Sequence, residues 1–111
     1  SLFMFTAGMM NGKGTMKFAD GTEYEGSFVD GAQSGSGMMV WPNDSTYDGL
    51  WADDKMTSGV LTVDGGCYTA ELSNGDNMVN GTRMYTVKLL NGDGSLHREC
   101  RFKNGKLIDM E

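Results

Sequence analysis

The sequence predicts an all-β fold: one elongated, twisted antiparallel sheet of stacked β-hairpins. Three observations predict it: a motif that returns about every 23 residues, period-two alternation of side chains inside each unit, and glycine at 17 of 111 positions. That share of glycine is about twice the ordinary one. It has no Gly-X-Y period and sits among 39% hydrophobic residues, so it marks neither collagen nor a disordered chain. A helix would lose roughly 1 kcal/mol at each glycine it contained, and nearly every short window contains one.

The first unit, residues 1–23, opens on the apolar run Leu2-Phe3-Met4-Phe5, then carries Gly8, the pair Gly12-Lys13-Gly14, Met16 and Phe18. Leu2 to Phe5 reads as an edge strand that invites pairing with another chain. A homodimer through this edge, or a longer parent repeat array, is the expectation. The second unit, 24–46, holds Tyr24-Glu25-Gly26-Ser27-Phe28, Gly31, Gly35-Ser36-Gly37, Met39 and Trp41. Tyr24, Gly26 and Phe28 fall on one face of a strand, with Glu25, Ser27 and Val29 on the other. A turn-rich link around Asp30-Gly31-Ala32-Gln33-Ser34 closes the hairpin. Asp20-Gly21-Thr22 and Pro42-Asn43-Asp44-Ser45 connect successive hairpins.

The third unit, 47–67, restates the motif as Tyr47-Asp48-Gly49-Leu50-Trp51, 23 residues after Tyr24, with Asp53-Asp54 at a turn and Ser58-Gly59-Val60 in place of the glycine pair. A degenerate fourth, 68–97, begins Tyr68-Thr69-Ala70-Glu71-Leu72 after only 21 residues, and a partial fifth, 98–111, keeps Phe102 and Gly105. Residues 1–111 are thus expected to form one domain with a sheet roughly 45 Å long, part of a larger protein. The repeated rings account for the glycines: a large ring needs a neighbour without a side chain to lie against. Glycine in a strand costs about 0.5–1 kcal/mol relative to alanine, and burying a ring at roughly 25 cal/mol per Å² offsets that several times.

Fifteen acidic side chains against nine basic ones give a net charge of −6, which repels phosphate backbones and makes nucleic acid an unexpected partner. Cys67 and Cys100, with the single His97, supply neither a disulfide framework nor a zinc site, and read as free thiols. Asn43-Asp44-Ser45 and Asn80-Gly81-Thr82 fit the N-glycosylation pattern, but nothing else suggests secretion. No apolar run approaches the roughly 20 residues of a membrane-spanning helix. A soluble protein of cytoplasm or nucleus is expected.

The parts of familiar active sites are missing. There is no Gly-x-Ser-x-Gly elbow and no His-Glu-x-x-His pair. Gly12-Lys13-Gly14-Thr15 lacks the spacing of a phosphate-binding loop. Asn91, Asp93 and Ser95 alternate like the start of a calcium loop, yet its twelfth position is Phe102 where a glutamate is needed. These read as a strand and a turn, so no catalytic residue, cofactor or metal is expected. Ten methionines divide between packing, as at Met16 and Met39, and an adaptable rim near the turns, at Met9, Met10 and Met56.

The run Tyr24-Glu25-Gly26-Ser27-Phe28, Gly31, Gly35-Ser36-Gly37, restated at Tyr47-Asp48-Gly49-Leu50-Trp51, resembles the MORN repeat over residues 1 to about 66. Further on, Ala70, Leu72 and Cys100 stand where that family would have glycine, an aromatic and glycine. Val63-Asp64-Gly65-Gly66, Glu71-Leu72-Ser73-Asn74-Gly75 and Arg101-Phe102-Lys103-Asn104-Gly105-Lys106 follow an order similar to the amino-terminal MORN region of SET-domain protein lysine methyltransferases. The resemblance implies a non-catalytic scaffold or partner-binding module, in the second case standing ahead of a catalytic domain. The candidate partner surface is the aromatic face with Tyr24, Phe28, Trp41, Tyr47, Trp51 and Tyr68, and its occupant a protein partner or an adjacent domain. The alternative implied by the family is attachment to acidic phospholipid. It ranks second, because the basic residues are scattered apart from Arg98, Arg101, Lys103 and Lys106.

Overall fold

The computed structural model describes residues 4–6 and 9–110, with side chains from Met9 onward. Leu2, Phe3 and Gly8 lie outside the described residues. The strands are β1 (Met4–Thr6), β2 (Met9–Lys17), β3 (Glu23–Val29), β4 (Ala32–Val40), β5 (Thr46–Ala52), β6 (Lys55–Val63), β7 (Gly66–Ser73), β8 (Met78–Val79), β9 (Thr82–Arg83), β10 (Tyr85–Leu90), β11 (Leu96–Lys103) and β12 (Lys106–Ile108). The described residues contain no helix. Ten strands form one antiparallel sheet in chain order, β1-β2-β3-β4-β5-β6-β7-β10-β11-β12, while β8 and β9 leave it and pair with each other. The all-β sheet of stacked hairpins is the expected fold.

Two kinds of connection alternate. Within hairpins, Asp30-Gly31, Asp53-Asp54 and Asn104-Gly105 form two-residue turns in which both residues have positive φ, for example 49° and 82° at Asp30 and Gly31. Such turns match the twist of the flanking strands, and Asp, Asn and Gly enter them at least cost. The link expected over Asp30–Ser34 is shorter than expected, because Ala32 and Gln33 already pair with Val29 and Phe28, and Ser34 lies within β4. Between hairpins, the Phe18 N–H donates to the Thr22 carbonyl at 2.8 Å, Trp41 N–H to Ser45 at 3.0 Å and Asn91 N–H to Ser95 at 2.8 Å. Each of these loops is fixed by a side-chain oxygen of Asp20, Asn43 or Asp93 accepting from the N–H two residues on. The alternation at Asn91, Asp93 and Ser95 is therefore the third copy of this connection.

The units are stapled to each other. The Gly31 N–H donates to the Met10 carbonyl at 2.8 Å, and the Asp54 N–H donates to the Gln33 carbonyl at 2.9 Å, the same bond one repeat later. The shortening of the repeat from 23 to 21 residues has two sources. Gly35, with φ 95°, is an extra bulge residue opposite β3 that the third unit lacks. The third unit then ends in the tight turn Asp64-Gly65 where the second has Trp41–Ser45.

Across the sheet the registers align Gly14, Gly26, Gly37, Gly49 and Gly59 in one row, continued by Ala70 and Leu89. The next row is Met16, Tyr24, Met39, Tyr47, Leu61 and Tyr68. Tyr24 lies along its own strand over Gly26, and its hydroxyl donates to the Ser27 carbonyl at 2.8 Å. Tyr47 does the same over Gly49, donating to Leu50 at 2.7 Å. A Cβ on Gly49 would come 2.5 Å from the Gly59 Cα and 2.8 Å from the Tyr47 hydroxyl. Tyr68 meets Ala70 instead of glycine; its ring lies over Gly66 and stacks on His97 at 5.3 Å.

The sheet curls. Trp41, the residue after β4, and Phe102 on β11 would be about 24 Å apart on a flat sheet, five strand spacings away. Their rings instead meet edge-on with centroids 5.0 Å apart. Asn43 Nδ2 and Ser45 Oγ both donate to the Gly105 carbonyl at 2.9 Å, closing the curl. The longest dimension is 43 Å, and the rings fill the inside of the curl while Glu25, Asp48, Leu50 and Val60 face outward and exposed. Met39 packs inside and Met9 is exposed, as expected, but Met56 is buried in the core and does not belong to the rim.

Gly49→Ala should destabilise by about 1–3 kcal/mol or more through overpacking. Gly92→Ala, with nothing within 4 Å and no positive φ, should stay within about 0.5 kcal/mol of wild type. Urea midpoints at constant slope compare the two, and equal losses would contradict the glycine row as a packing constraint.

Candidate functional site

The sequence-predicted aromatic face divides once it is folded. Tyr24, Phe28 and Tyr47 are buried at 2% exposure or less. Tyr24 meets Phe28 at 5.3 Å and Trp51 at 5.1 Å, and Tyr47 meets Trp51 at 5.5 Å, all edge-on. Edge-to-face pairs of this kind contribute about 0.5–1.5 kcal/mol beyond area burial. These rings form the packing spine. Trp51 is oriented by its Nε1, which donates to the Gly37 carbonyl at 3.1 Å. Tyr68 is half-buried and stands apart with His97.

Only Trp41 and Trp51 of the six reach a cavity. It holds about 430 Å³ inside the curl, within the usual range for ligand sites. Met39, Met56, Tyr85 and Phe102 share the walls, and the flap formed by β8 and β9 contributes Met78, Gly81, Thr82 and Arg83. The flap is an insertion over 74–84, in the degenerate fourth unit. Arg83 Nη1 donates to the Gly75 carbonyl at 2.8 Å, and Lys55 Nζ reaches Asp76 at 3.0 Å from the neighbouring hairpin. The Tyr85 hydroxyl, below the flap, accepts from the Met56 N–H at 3.0 Å.

Polar groups gather at one end. Gln33 is 5% exposed; its N–H donates to Asp54 Oδ1 at 2.8 Å, but its side-chain Nε2 is buried with no hydrogen-bond partner. Such a donor costs about 1–3 kcal/mol when left unsatisfied. Thr22 Oγ1 makes no hydrogen bond of ordinary geometry, though the Thr22 N–H and hydroxyl together hold the Asp20 carboxyl below its usual range. Asp20, Asp54 and Arg83 are the charged lining groups. Among the described residues no group of three His, Cys, Asp or Glu could hold a metal ion.

The residues that sequence reasoning missed are Thr22, Gln33, Tyr85, Phe102 and the flap. One signal for the flap was present: Asn80-Gly81 is a strong two-residue hairpin signal, here with φ 51° and 78°. Cys67 is exposed and Cys100 buried, both free. Burial pushes the Cys100 thiol up, against a smaller opposing pull from Arg98.

The fold and its repeated tyrosine-over-glycine unit define a β-hairpin repeat protein. The family model of the MORN repeat matches two stretches of the chain, residues 4–23 and 24–46. The tyrosine geometry of the second matched stretch continues unchanged through Tyr47 and Gly49 beyond it. A search of curated proteins finds no match to the chain.

Burial raises Tyr24 and Tyr47 to about 12, with the Asp54 charge adding at Tyr24, and burial also raises Tyr85. An unfolded chain titrates its tyrosines near 10. The raised folded values therefore stabilise fully below about pH 10, and that stability is lost as pH climbs from about 10 through 12. Absorbance titration of the folded protein should show these three tyrosines ionising late, together with loss of the fold; an early, reversible ionisation of all four tyrosines would refute the packing.

Proposed function

We propose that the chain is a non-catalytic interaction module whose curled inner face receives a protein partner or a neighbouring domain. The observation that supports this reading most is the apolar cavity between Trp41, Trp51, Tyr85 and Phe102 on one side and the β8–β9 flap on the other. The MORN match supports a repeat module for interaction or membrane binding. The net charge of −6 favours a protein partner over an anionic leaflet, and Arg98, in the densest basic group, is already paired with Asp109. The resemblance of the Val63–Gly66 and Arg101–Lys106 runs to the region preceding a SET domain supports a finer reading, in which the neighbouring domain is a protein lysine methyltransferase. In that reading this chain contributes no catalytic residue, and it acts in cytoplasm or nucleus.

A photo-crosslinking residue at Met78, 52% exposed beside the cavity, is expected to trap a polypeptide. The same residue at Val60, 42% exposed on the outer face, should not. Adducts only from Val60 would overturn the inner-face assignment, and stronger pelleting with phosphatidylserine vesicles than with phosphatidylcholine vesicles would favour lipid attachment instead.

A further inference from the structure

The cavity has three properties that together narrow its occupant. Its walls are apolar over Met39, Trp41, Trp51, Met56 and Phe102, so an apolar group displaces water there favourably. Beside them stands the unpartnered Gln33 Nε2, a neutral donor that calls for a carbonyl acceptor. The two lining carboxylates, Asp20 and Asp54, outnumber the one lining cation, Arg83; each accepts one backbone N–H, from Thr22 and Gln33, and Arg83 donates to the Gly75 carbonyl.

The shape adds a fourth. The lining runs from the Phe18–Thr22 connection, past the 53–54 turn and under the flap, to Asn104. That path suits an extended segment better than a compact molecule. The flap strands β8 and β9 pair only with each other, and strands without a second neighbour can receive an extended peptide by main-chain bonding.

Resting on the partner-binding reading above, we propose that this cavity binds an extended, basic peptide segment. It takes one apolar side chain of that segment between Trp41, Trp51 and the flap. The main-chain carbonyl beside that side chain accepts from Gln33 Nε2, and the flanking Lys or Arg residues face Asp20 and Asp54. Charge complementarity selects this partner: an acidic segment would meet like charge at the lining carboxylates and across a chain of net charge −6. Gln33 Nε2 has no partner within the protein, so a ligand carbonyl can satisfy it without breaking an existing protein hydrogen bond.

The test uses the 111-residue chain labelled with ¹³C at its methionine methyls, of which Met39, Met56 and Met78 line the cavity and Met9 and Met110 are exposed elsewhere. The probes are acetyl-Lys-Leu-Lys-amide, acetyl-Lys-Gly-Lys-amide and acetyl-Glu-Leu-Glu-amide. Saturable shifts at the three lining methyls are expected with the first, at a dissociation constant of about 1 mM or tighter. Both other probes should bind about tenfold more weakly or not at all. Gln33→Leu should melt no lower than wild type yet lose about tenfold in affinity for the first probe, since it deletes a donor that nothing in the free protein uses. Thr82→Phe, filling the cavity from the flap, should abolish the shifts while the sheet stays folded.

Absence of saturable shifts at the three methyls, or equal binding of the acidic probe, overturns the proposal. A lower melting point for Gln33→Leu with affinity unchanged does so too. Should the peptides fail while crosslinking from Met78 still traps a polypeptide, the partner reading stands and the cavity assignment alone falls.

Discussion

A tyrosine laid flat over a glycine two residues on is the contact on which the rest of the molecule depends. It needs three things at once: no Cβ beneath the ring, no Cβ on the facing strand, and a carbonyl at the third residue to receive the hydroxyl. Gly26 with Gly37, and Gly49 with Gly59, meet the first two, and Ser27 and Leu50 supply the third. The buried hydroxyl is thereby satisfied where an unpaired one would be costly, and the ring is held low enough for Trp51 to pack against both Tyr24 and Tyr47. Ala70 shows the contact by its loss. One methyl group in the row accompanies a Tyr68 ring that lies over Gly66 and stacks on His97, outside the buried core.

From that row follow the curl and then the cavity. Adjacent strands with no side chains between them on the inner face approach without resistance there, while the outer face carries Ser27, Leu50 and Val60. The curl brings the connection at Trp41–Ser45 onto the Asn104-Gly105 turn, where two hydrogen bonds converge on one carbonyl. The core then closes around Phe102. What the curl leaves unfilled, beside the inserted flap, is the cavity.

Much of the fold was legible in the sequence because it is local. The period, the two faces of each strand and the aspartate and asparagine turns all rest on spacings of fewer than two dozen residues. The curl was not legible: it depends on Trp41 meeting Phe102, and on Asn43 and Ser45 meeting Gly105, across about 60 residues with no motif linking them. Two of the six candidate site residues, Trp41 and Trp51, line the cavity. The ladder marked rings without saying which would be covered by their neighbours. Gln33 was invisible as a site residue because a lone glutamine near a turn carries no pattern, and Met56 looked like rim because its distance from the turn was plain and the approach of Tyr85 was not.

The strand order, which follows the chain apart from the flap, has a mechanical consequence. The two ends of the described chain lie in strands at opposite edges of the sheet, so tension between them loads the hydrogen-bond ladders one after another, rung by rung, instead of all at once. Such a sheet peels like tape. A force-extension trace would record small releases from the β1 edge, while from the other edge the load meets, directly behind β12, the Gly105 carbonyl where Asn43 and Ser45 clasp the curl.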